Sequence, residues 1–184
     1  MQFPSIPSWD AMHPLIIHFP IVLLLLAPIP ILLAAILRPP RNRAAMVVAL
    51  AAMLLGTTSL FLAASSGEKA AELADRGGSV DAVLSAHEEL ASRTEIVFSA
   101  LSLLFVAIFL WPKLRRSPET CTTSTIAPIL FLGFYALGIA YLVSTAHAGG
   151  RLVHEFGVHA MIAQPEDAST SQSQPPTSPQ ERVE

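Results

Sequence analysis

Six histidines stand in a chain that otherwise carries few groups able to do chemistry: His13, His18, His87, His147, His154 and His159. Imidazole is the commonest protein ligand for metals, so their placement decides which chemistry is open. His13 and His18 begin the stretch HPLIIHFPIVLLLLAPIP, a run apolar enough to enter a bilayer. His87 is followed by Glu88 and Glu89. The patterns of hydrolases and nucleotide enzymes do not occur: there is no Ser/His/Asp spacing, P-loop or HExxH. A lone Cys121 excludes an internal disulfide and any CxxC site. A binding or redox subunit is therefore a better reading than an enzyme.

The elements that position these imidazoles are membrane spans. Of 184 residues, 52% are hydrophobic and 14% charged, with mean hydropathy +0.54. Soluble domains carry about 25% charged residues. Four segments reach the roughly 20 apolar residues a bilayer requires: 14–37, 44–66, 90–111 and 125–146. Ile21 to Leu37 holds no charged or strongly polar side chain, and a helix apolar on every face needs a large protein or a membrane around it. The expected fold is an all-α integral membrane protein, a four-transmembrane-helix bundle over residues 1–163. Residues 164–184, rich in Ser, Gln and Pro, are expected to form a disordered tail. No cleaved leader is expected, since no Lys or Arg precedes the first run. No basic patch suggests nucleic acid; the net charge is −3.

The loops set an orientation. Arg38, Arg41 and Arg43 lie between the first two spans, and Lys113, Arg115 and Arg116 between the last two. The middle loop is acid-rich, with Glu68, Glu72, Asp75, Asp81, Glu88 and Glu89. The positive-inside rule places the basic loops in the cytoplasm and both termini outside, as expected for a multi-pass membrane protein. Every histidine then falls at the outer end. At 1.5 Å per residue, His18, His147 and His87 stand about 30, 33 and 36 Å above the cytoplasmic ends of their spans.

Helical faces refine this picture. Ala45, Ala49, Ala52, Gly56, Ser59, Ala63 and Ser66 recur at spacings of four and three, a small-residue seam for close packing. Gly133, Ala136, Ala140, Ser144 and His147 make a similar stripe, which would turn His147 inward. His87, Ala91, Thr94, Phe98, Leu101 and Phe105 share a face suited to a flat aromatic ligand or to ordinary packing. Pro14 is a natural first helical residue, making His13 the cap. Pro20, Pro28 and Pro30 lack the N–H that would bond the carbonyls of Ile16, Leu24 and Leu26, so the first span is expected to bend.

The motif His13-Pro14-Leu15-Ile16-Ile17-His18-Phe19-Pro20 resembles the HPxxxHFP opening of a bacterial family of predicted four-helix membrane proteins, domain of unknown function 2231. Ser66-Gly67, His87, and Gly149-Gly150-Arg151-Leu152-Val153 with Gly157-Val158 fit the same pattern over about residues 10–160. The family often reads GGxLVYxHGV near its end; here His154 stands at the tyrosine position and Phe156 at the histidine position. Association of some members with c-type cytochrome domains implies a redox setting. The four-helix, histidine-bearing layout also resembles membrane b-type cytochromes.

Three functions follow as expectations. The first is electron transfer by haem b held between His18 and His87, with His147 as the alternative ligand and a periplasmic c-type cytochrome or other redox subunit as partner. The second is a zinc or copper site of His13, His18, His87 and Glu88. The third is a scaffold or assembly subunit in the lipid bilayer. The orientation is open to test. Cysteines placed at 38–43 or 113–119 should resist a membrane-impermeant thiol reagent in intact cells, whereas cysteines near Ser79 or Ala168 should label. The reverse pattern would invert the topology.

Overall fold

The computed structural model describes residues 8–9, 11–38, 40–74, 77–115 and 125–158. Those residues are helical, with no strand among them: α1 (His13–Ile16), α2 (His18–Leu26), α3 (Pro28–Ile36), α4 (Arg41–Leu73), α5 (Ser79–Arg115) and α6 (Ala127–His154). The first three follow one another as a single span of 24 residues interrupted at Ile17 and Ala27. The interruptions sit where Pro20 and Pro28 remove hydrogen-bond donors. With α4, α5 and α6 this makes four helices long and apolar enough to cross a membrane.

The spans form a ring. The first span packs on α4, α4 on α5, α5 on α6, and α6 returns to α3 and α2. The first span and α5 thus lie on one diagonal, α4 and α6 on the other. At one end stand His13, Ser66, His87 and Gly149 (the histidine end). At the other stand Arg38, Arg41, Arg43 and Lys113 (the arginine end). The outer surface is apolar, with Leu103 71% exposed and Phe134 64% exposed. Such a surface is unfavourable in water and natural against lipid.

Three helices run past the boundaries that apolarity predicts. α4 continues to Leu73, α5 begins at Ser79, and α6 ends at His154. At 1.5 Å per residue, α4 and α5 are about 50 and 55 Å long against a hydrocarbon core of about 30 Å. Hydropathy sees only the part in lipid. The extensions carry Ala, Glu and Leu, which are good helix formers in water. They pack a second small core, in which Ala71, Leu84 and Leu152 are buried against Val80, Val83 and Val158. The chain turns between α4 and α5 at Gly78 (φ +57°) and closes α6 at Gly157 (φ +64°), where the Val158 N–H reaches the Leu152 carbonyl at 3.0 Å. Both are left-handed positions that glycine takes without penalty. His87 accordingly lies inside α5 rather than before it. His13 lies in the first helical turn, with Met12 at the cap.

The main core is aromatic. Phe98, Phe105, Phe131 and Tyr135 have essentially no exposed surface. Phe98 meets Tyr135 edge-on at 5.5 Å between centroids, and Phe105 meets Phe131 at 5.0 Å. The α4 seam is interior, with Ala49, Gly56, Ala63 and Ser66 buried. A Cβ on Gly56 would come within 2.7 Å of the Leu24 side chain. The α6 stripe is not interior: Gly133, Ala136, Ala140, Ser144 and His147 are all exposed. The large residues Phe131, Tyr135 and Leu142 face inward instead, because the wide centre of a four-helix ring needs volume that small side chains cannot supply. Gly138 breaks that face, receiving Phe98 and Leu101.

Polar side chains tie the helices together. The Tyr135 hydroxyl donates to the Leu24 carbonyl at 2.8 Å, the carbonyl that Pro28 leaves without its helical donor. Thr57 and Ser102 share a buried hydrogen bond of 2.8 Å between α4 and α5. We expect Gly56→Leu to destabilise the detergent-solubilised protein by about 1–3 kcal/mol through overpacking, and Tyr135→Phe by about 1 kcal/mol through the orphaned carbonyl. Ala140→Leu, on the lipid side, should be neutral. Thermal denaturation of the three variants checks the helix rotations, and a costly Ala140→Leu would overturn them.

Candidate functional site

The histidine end is where side chains from all four spans meet. Its foundation is a choice of face. His13 lies half-buried, its Nδ1 donating to the Ala63 carbonyl of α4 at 2.9 Å, with Ser66 Oγ 3.1 Å away. Ser66 is fully buried and donates its own hydroxyl to the same carbonyl at 2.9 Å. His87 lies half-buried in the same manner, its Nδ1 donating to the Thr145 carbonyl of α6 at 3.0 Å. A carbonyl oxygen only accepts, so in both rings the proton must sit on Nδ1. In the neutral imidazole Nε2 is then the atom with the free lone pair. Neither Nε2 has a hydrogen-bond partner among the described residues.

Glycine makes this approach possible. A Cβ on Gly67 would stand 2.8 Å from Cε1 of His13, and a Cβ on Gly149 would stand 3.0 Å from Cε1 of His87. Each ring therefore lies directly on a glycine. The two imidazoles stand on diagonal helices at the same end of the bundle. Below them, Thr94 and Thr145 share a hydrogen bond of 2.8 Å, and their hydroxyls also reach the carbonyls of Leu90 and Tyr141. Thr145 thus grips α5 twice, by its carbonyl to His87 and by its hydroxyl to Thr94. Beneath that pair begins the aromatic core.

The remaining expected site residues lie elsewhere. His18, Glu88, His147 and His154 are exposed, and His159 lies outside the described residues. His18 follows His13 by five positions, about 140° around a helix. Once His13 faces α4, His18 faces away. His147 lies on the outward stripe of α6. No group of three or more His, Cys, Asp or Glu side chains able to hold a metal ion forms among the described residues. Phe98 and Phe105 do share the His87 face, but they are closed by Tyr135 and Phe131 rather than lining a slot. The sequence displayed Ser66-Gly67 and Gly149-Gly150 without revealing that each pair supplies the glycine beneath a ring.

Comparison with known proteins adds the family. A pattern described as predicted membrane protein (DUF2231) matches residues 10–161. The chain belongs to that family. The matched region runs from just before His13 to just past α6 and includes every group at the histidine end. No curated protein and no solved structure matches the chain.

The Thr94–Thr145 contact is measurable on its own. A double-mutant cycle with Thr94→Val and Thr145→Val should give a coupling of about 0.5–1.5 kcal/mol, the range for hydrogen bonds between membrane helices. Zero coupling by thermal or chemical denaturation would separate the two hydroxyls.

Proposed function

We propose that this membrane protein presents His13 and His87 as a two-imidazole site for a redox centre at the end of the bundle opposite the arginine loops, and that the group held there is haem b. The observation that carries the reading is the shared anchoring of the two rings. A metal-ligating histidine characteristically donates its second ring N–H to a carbonyl or carboxylate, which fixes the ring and the tautomer. His13 and His87 both do so, from diagonal helices, with Nε2 left over.

The donor count supports haem over zinc. Haem b would be held by two imidazoles of the protein, and His13 and His87 are the two that this end anchors. Structural zinc takes four protein donors, more than the described residues assemble. A macrocycle held by these rings would lie at the imidazole level, above Thr94 and Thr145, since the aromatic core beneath is filled. There the chain's own work is to hold two rings at fixed orientation and to exclude water from below. A single haem level at one face suits exchange of electrons with a partner outside the membrane, such as a c-type cytochrome domain, rather than transfer across it. The same packed core favours one further reading, a bare copper ion held by the two Nε2 atoms, since imidazole also suits copper.

The test is an absorption spectrum and metal analysis of the purified protein, supplied with haem. The expected result is a low-spin spectrum with sharp, split bands on reduction. His13→Ala and His87→Ala should each abolish the bands or convert them to a high-spin form, and His18→Ala and His147→Ala should leave them unchanged. Loss on His18→Ala with His13→Ala silent would move the ligand along the first span. Copper uptake without haem, lost on the same two substitutions, selects the metal ion; uptake of neither leaves a scaffold subunit.

A further inference from the structure

The two histidine contacts are the same device used twice. In the first hairpin, the ring of His13 lies on Gly67, and its Nδ1 donates to the carbonyl of Ala63, four residues before that glycine. In the second, the ring of His87 lies on Gly149, and its Nδ1 donates to the carbonyl of Thr145, again four residues before the glycine. In each case the histidine is near the histidine end of the outgoing span and the glycine near that end of the returning one. The outgoing spans share one diagonal of the ring and the returning spans the other. A half-turn about the bundle axis exchanges the two sets of parts.

We infer that the histidine end consists of two equivalent half-sites, and that Gly67 and Gly149 are positioning residues that lock His13 and His87 in the Nδ1–H tautomer with both Nε2 lone pairs available. The local physics is simple. Residues four apart lie one above the other on a helix face, so a ring seated on the glycine meets the carbonyl one turn below. Any Cβ at the seat would push the ring off that carbonyl. Both glycines are tight against an imidazole, the three atoms nearest the built Cβ belonging in each case to the histidine ring. The neighbouring Gly150 and the exposed Gly133 meet nothing within 4 Å. Two like nitrogen donors presented in this way specify a centre that takes a pair of equivalent ligands. That last step rests on the function proposed above; the tautomer lock does not.

The experiment is long-range 1H–15N correlation NMR on full-length, 15N-histidine-labelled protein in detergent, at a mildly alkaline pH and without added haem or metal. His13→Gln and His87→Gln assign the two rings. Both are expected to show a protonated Nδ1 and a bare Nε2, the minority tautomer of free histidine in water. Gly67→Ala should shift or lose the His13 pattern and leave His87 intact, Gly149→Ala should do the converse, and Gly150→Ala should do neither. In each variant the undisturbed ring reports that the bundle is folded. Loaded with haem, or with copper alone, the Gly67 and Gly149 variants should bind about 10–100-fold more weakly, as when the support of a ligating histidine is removed. An Nε2–H tautomer at both rings in the parent protein overturns the inference. So does a Gly67→Ala spectrum indistinguishable from that of Gly150→Ala. A protein that binds neither haem nor copper yet keeps both Nδ1–H tautomers supports the half-sites and overturns only the choice of ligand.

Discussion

The Leu24 carbonyl is the constraint around which the bundle is arranged. Pro28 denies it the helical hydrogen bond, and inside a bilayer no water is present to replace that bond. The Tyr135 hydroxyl, fully buried on α6, answers it at 2.8 Å. One bond thereby sets the rotation of α6 against the first span. With Tyr135 turned inward, Phe131 and Leu142 follow it on the same face, and the stripe from Gly133 to His147 is turned to the outside. The aromatic contacts of Tyr135 with Phe98 and Phe131 then fix α5, and the placement of α5 brings His87 over Gly149.

The same logic recurs at the histidine end in reverse. There a carbonyl already in a helix takes a second donor, an imidazole N–H, because a glycine one turn later clears the way. Satisfying polar groups between helices is worth only about 1 kcal/mol each in a membrane, so these bonds add little to stability singly. Their value lies in direction. Tyr135, Thr57 with Ser102, Thr94 with Thr145, and the two histidines each have one geometry in which the bond forms, and together they select one rotation for every helix. A bundle held by lipid-like side chains alone would have several.

The division of labour along the molecule follows. The middle is filled by aromatic rings. The arginine end anchors, with Lys113 lying over the Phe109 ring at 4.3 Å. The histidine end, where the bundle leaves the hydrocarbon, holds the two anchored imidazoles under a small cap of Ala71, Leu84, Leu152 and Val158. The proposed redox chemistry is thus confined to one level.

The sequence by itself determined the membrane class, the four spans, the grouping of the described histidines at one end and the inward seam of α4. These depend on hydropathy, length and helical period, which are properties of each segment alone. It also showed that Pro28 frees the Leu24 carbonyl. It did not name the group that answers it, because the donor lies 111 residues away. Helix ends at Leu73, Ser79 and His154 were illegible to hydropathy, since polar residues continue a helix in water as readily as they end a span. The α6 stripe misled for a related reason: small residues permit close packing but do not require it, and the volume of the ring's centre went to Phe131 and Tyr135. The tertiary structure alone decided that His13, not His18, faces α4, because only packing against Ala63, Ser66 and Gly67 tells which side of the first span is the inside.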